Sequence, residues 1–171
     1  MKRTRLLCSF VAVAGLGCQG SAEEVSVTQQ AAIQAFTVFA DPFGNGAPNP
    51  AEGVQGFVHH NTTGDGRTHV VLQVRGLPAN REFGSHVHLL ACNDNKAGGH
   101  YRNDPAGPAT PENEIWLDFT TNGAGKGSAQ AINDFLIRPN GAHAVIIHDH
   151  TTDAAGAAGP KLACLDVNFD E

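Results

Sequence analysis

Hydrophobic and polar positions exchange every few residues along this chain, and no segment keeps a 3.6-residue apolar period through three turns. Short runs of β-type residues recur instead, at about Ala35–Phe39, Val54–His60, Thr68–Val74, Gly84–Leu90, Ile115–Thr121, Gly127–Ile132, Ala142–His148 and Leu162–Phe169. Clusters such as Thr63-Gly-Asp-Gly66 and Asn122-Gly-Ala-Gly125 separate several of them, as hairpin turns require. Eight short strands without a helix predict an all-β fold, an antiparallel sandwich or a flattened Greek-key barrel. Two connections, 91–114 and 149–161, are too long to be turns. Long connections without their own secondary structure are usually functional in a compact domain.

The first 22 residues follow a different pattern. Lys2, Arg3 and Arg5 precede an apolar stretch from Leu6 to Leu16 that is too short to span a membrane, which reads as an export signal. Gly15-Leu-Gly-Cys18 resembles a bacterial lipoprotein cleavage site, with Cys18 as the lipidated residue; ordinary cleavage near Ala22 and release is the alternative. Residues 23–32 read as a tether and 33–171 as one β-domain. The expected location is the periplasm, the outer membrane through a lipid anchor, or the exterior. Membrane contact is expected only through Cys18.

Of four cysteines, Cys8 and Cys18 fall in or at the end of this segment, leaving Cys92 and Cys164 in the domain. An even pair in an oxidising compartment predicts a disulfide, two buried thiols being the alternative. The chain carries a net charge of −6, and loss of Lys2, Arg3 and Arg5 makes the body more acidic still. Nucleic acid is therefore excluded as a partner, and an anionic substrate needs a local positive field.

Candidate chemistry centres on Gly84-Ser-His-Val-His88. Histidines at i and i+2 of an extended segment point to one face, so both imidazoles can reach one ion. His100 in Gly98-Gly-His-Tyr101 and His148 at the end of an apolar run each offer one more. Four imidazoles without thiolate suit copper best among first-row metals, zinc and nickel being the alternatives. His59, His60, His69 and His143 read as surface or strand-end residues, and Tyr101 and Trp116 as packing residues.

Arg75-Gly-Leu, Gly84-Ser-His-Val-His88, Gly99-His-Tyr101, Val145-Ile-Ile-His-Asp149 and Gly159-Pro-Lys-Leu-Ala-Cys164 resemble, in that order, the motif series of copper/zinc superoxide dismutases. The similarity spans roughly residues 33–169. It implies an eight-stranded Greek-key barrel, with His86, His88, His100 and His148 as copper ligands and Cys92–Cys164 as the internal disulfide. It implies one copper per chain, superoxide as the small-molecule substrate, and oxygen and hydrogen peroxide as products. Oligomeric state does not follow from it.

The departures are as informative. No histidine occurs from Tyr101 to Asn140, where the family supplies further zinc ligands, and Ile115 falls near the position of the zinc aspartate. Zinc is therefore not expected, and the chain is similar to the copper-only members, in which a carboxylate stands behind the bridging histidine. Glu112 is the first candidate for that carboxylate, orienting His100, and Glu114 the second. Lys161 stands where the family has an anion-binding arginine, which predicts a slower enzyme because a lysine is a flexible point charge and not a planar fork. His100, Glu112 and Lys161 are the expected catalytic residues. The Lys161 change and the short second loop also suit a non-enzymatic copper-binding or storage protein on the same fold.

Overall fold

The computed structural model describes residues 32–170. The expected export segment 1–22, the lipidation candidate Cys18 and all but the last residue of the 23–32 tether lie outside them. Among the described residues nine strands form two antiparallel sheets: β1 (Gln34–Ala35), β2 (Thr37–Val38), β3 (Gln55–Thr62), β4 (Thr68–Arg75), β5 (Glu82–His88), β6 (Phe119–Thr120), β7 (Lys126–Asn133), β8 (Ala144–His148) and β9 (Lys161–Asp166). One sheet has the order β1-β3-β4-β7 and the other β2-β9-β8-β5-β6. The chain crosses between the layers after β1, β2, β4, β6 and β7, so strands adjacent in sequence often lie in opposite sheets. The fold is the expected all-β sandwich. It is not a closed barrel, because no ladder among the described residues joins one sheet's edge to the other's.

Two strands differ from the sequence expectation for identifiable reasons. The run Ala35–Phe39 divides, because β1 pairs with β3 and β2 with β9 while Phe36 turns into the core between them. The run expected at 115–121 keeps only Phe119–Thr120 as strand. Asp118 Oδ1 takes the Ser85 N–H at 3.0 Å, a donor that a regular ladder would give to a carbonyl. Backbone bonds Val87 N–Ile115 O (3.2 Å) and Leu117 N–Ser85 O (2.7 Å) still hold this segment beside β5.

Alternation explains the core. Thr68, Val70, Leu72 and Val74 of β4 are buried, while Gln73 and Arg75 face solvent. They meet Phe83 and Val87 of β5, Val145 and Ile147 of β8, and Leu162 and Leu165 of β9. A separate cluster of Phe39, Ala97, Ala144 and Ile146 surrounds the Cys92–Cys164 disulfide, which is formed. That bridge ties the first long loop to β9, and the Cys92 N–H is held at 2.7 Å by Asp166 Oδ1.

Candidate metal centre

Strand β5 carries His86 and His88, both fully buried, toward the end of the sheet. β8 runs beside it and ends in His148, opposite Gly84. Gly84 is required there: a Cβ would lie 2.4 Å from the His150 carbonyl oxygen and 2.7 Å from the Ala158 side chain. His100 arrives on the first long loop through a β-bridge to His88. The four rings converge, with centroids from 3.9 Å apart (His86–His100) to 6.5 Å (His86–His88). One nitrogen from each lies within 4.8 Å of the others. A metal–imidazole bond is about 2 Å, so a small inward shift brings all four onto one ion.

Hydrogen bonding dictates which nitrogen faces the centre. His88 Nδ1 donates to the Gly98 carbonyl (3.2 Å) and His148 Nδ1 to the Gly159 carbonyl (3.1 Å); a carbonyl only accepts, so both Nε2 atoms carry lone pairs. His100 Nδ1 lies 2.9 Å from Glu114 Oε2 and donates to that carboxylate. The Thr152 hydroxyl donates to Asp118 Oδ1 (2.7 Å), so its oxygen accepts from His86 Nε2 (2.7 Å). His86 Nδ1 is then left as a buried nitrogen without a partner among the described residues. Four lone pairs therefore face one small space, and His88 Nε2 and His148 Nε2 approach to 3.3 Å. Such a set suits a cation, and each outer acceptor fixes a ring as ligating histidines require.

Three of the rings are held in the neutral form. Burial, with the neighbouring imidazoles, pushes His86 far below the ordinary histidine range. Burial and the His100 and His148 rings lower His88 to about 2, and burial above all lowers His148 to about 4. The residues present fit a bound metal ion: a buried, neutral, all-nitrogen donor set is one that copper, zinc or nickel accepts.

Behind His100 the acceptor is Glu114, which corrects the first choice of Glu112. Glu112 is exposed and its hydrogen-bond partner is Thr110. Glu114 is fully buried and receives Trp116 Nε1 (2.8 Å) and Arg102 Nε (2.9 Å) besides His100. Burial alone would raise its pKa, but these three bonds outweigh it and hold the carboxyl below its usual value. Trp116 is thus more than a packing residue, whereas Tyr101 is buried and accepts the Arg138 N–H at 3.0 Å. Ile115 is core. Sequence reasoning missed Asp118, Thr152, Arg102 and Trp116. No spacing rule marks them, since each acts across 12 or more residues apart from Trp116, two residues from Glu114.

Lys161 opens β9 opposite His148. Its ammonium donates to the carbonyls of Lys96 (2.7 Å) and Gly98, the latter being the acceptor that also orients His88. The turn that presents those carbonyls holds Asn95, Lys96 and Ala97 at left-handed φ values of 45°, 51° and 65°. A left-handed residue costs roughly 1–2 kcal/mol. Buried Ala97, the neighbouring disulfide and the Lys161 ammonium hold the turn in place. The only other metal-type grouping among the described residues is Cys92, Cys164 and Asp166, whose sulfurs are bonded to each other.

A solved structure described as a crystal structure analysis of the clock protein EA4 shares this architecture, with a TM-score of 0.55 over 77% of this chain and 89% of that one. At 18% identity the likeness is one of fold. No protein-family model matches the chain, and no curated protein matches it in sequence.

Proposed function

We propose that the protein is an exported, copper-only superoxide dismutase. The observation that carries this reading is the set of four imidazole lone pairs on one point, with a buried carboxylate behind His100. His86 would bind the ion through Nδ1 and His88, His100 and His148 through Nε2. Bound copper supplies one-electron redox chemistry, alternately oxidising one superoxide and reducing the next, and imidazole ligands tolerate both of its oxidation states.

The chain's own groups supply orientation, charge and protons. Lys161, half-buried beside His88 and His148, offers the positive charge that an anionic substrate needs in an acidic protein. His100 is the least buried of the four rings, with 16% of its side chain exposed. Were its Nε2 released from the ion, that atom would carry a proton for the departing peroxide while its Nδ1–H stays on Glu114. The cell envelope is the proposed location, with Cys18 as anchor or with the protein released.

Loading the protein separately with copper and zinc, with metal content and superoxide consumption both measured, tests the reading. One copper per chain and superoxide consumption are expected. Two tightly held metals would overturn the copper-only assignment. Tight copper without superoxide consumption would select the copper-binding or storage reading.

A further inference from the structure

The two long loops meet beside His100. A Cβ on Gly156 would lie 2.5 Å from the Ala109 side chain, so the loops touch there. Around this contact is an open cavity of about 440 Å³, within the range of small-molecule sites (roughly 300–1,000 Å³). Arg102, Arg138 and His100 line it, the remaining lining residues are apolar or glycine, and none is a carboxylate. In a chain of net charge −6 this is a local reversal of field.

Both arginines are already held in place. Arg102 uses Nε on Glu114 and Nη1 on the Gly107 carbonyl (3.3 Å), leaving Nη2 without a partner among the described residues. Arg138 uses Nη1 on the Arg102 and Asn103 carbonyls, and its guanidinium lies 4.8 Å from the Tyr101 ring centroid. Among the described residues no carboxylate forms an ion pair with Arg138. A ligand would therefore meet a fixed, uncompensated cation and would not have to order it first.

We propose that this cavity binds a small carboxylate bearing a short apolar tail. The carboxylate takes the remaining guanidinium N–H groups, whose planar geometry suits two parallel N–H···O bonds. The tail lies against Leu89, Pro105 and Ala109. An occupant covers the accessible edge of His100, so binding there governs access to that ring. The site stands on the arginines and the cavity, independently of the dismutase reading.

Calorimetric titration of the metal-free full chain with acetate and with pentanoate tests it. One saturable site is expected, with pentanoate at least tenfold tighter, since each buried methylene contributes roughly a fourfold gain. Ala157→Glu places a carboxylate on the exposed rim of the cavity and should weaken pentanoate at least tenfold, as should Arg138→Gln; far-UV circular dichroism checks that each variant is folded. If Arg138→Gln does not fold, the rim variant decides. Absence of saturable binding, equal affinity for the two acids, or a folded rim variant that binds like the parent would each overturn the proposal.

Discussion

Replacing Glu114 with Gln tests the centre's outer support most directly. Its Oε2 accepts from His100 and Trp116 and its Oε1 from Arg102, so all three partners are donors. An amide has only one oxygen. With that oxygen toward His100 and Trp116, the NH2 meets the Arg102 N–H; in the other orientation it meets two donors. At least one charge-assisted bond is lost, worth about 1.5–3 kcal/mol, and the rest lose the acceptor's charge. Breaking a buried ionic contact costs about 3–5 kcal/mol, but Arg102 is 38% exposed and can turn to water. A loss of about 3 kcal/mol is therefore expected, which lowers Tm by roughly 6–12 °C for a domain of this size. The second orientation would also reverse the His100 tautomer and remove its Nε2 lone pair, so metal affinity should fall about 10–100-fold. Urea unfolding of metal-free protein measures the first effect and a competitive chelator titration the second. Glu112→Gln, at an exposed position, is the control and should change neither. A Glu114→Gln protein within about 0.5 kcal/mol of the parent and with unchanged metal affinity would refute the reasoning.

Three other outcomes follow from the same geometry. Cys92→Ala with Cys164→Ala opens a loop of 72 residues and should cost about 4 kcal/mol in the chain-entropy account, read as a lower urea midpoint. Thr152→Val removes the acceptor for His86 Nε2; a loss of about 1–3 kcal/mol from the orphaned buried donor and weaker metal binding are expected in the same two assays. Acid should destabilise the metal-free protein early. The folded-state values of about 2 for His88 and about 4 for His148 lie below the unfolded value of 6.5. Their contribution is therefore complete above pH 6.5 and is lost as pH falls through the window beneath it, by roughly 2 kcal/mol per ring at pH 5. Equal urea stability at pH 7 and pH 5 in the presence of chelator would contradict this.

Local pattern was sufficient for part of this molecule. The two-residue period of a strand puts His86 and His88 on one face whatever surrounds them, and the alternation of Val70, Leu72 and Val74 already separates core from surface. Two cysteines left in the domain invited one bridge, and that bridge is present. The choice between Glu112 and Glu114 was not legible, because both sit in one loop two residues apart and only the packed chain buries one of them. The same holds for Asp118 and Thr152, which reach His86 from segments 32 and 66 positions away, and for the left-handed turn that aims Gly98 at both Lys161 and His88. Side-chain periodicity is a property of neighbouring residues and is written in the sequence. A hydrogen-bond partner is chosen by whichever polar groups lose water together, and that is decided only when distant segments are packed against one another.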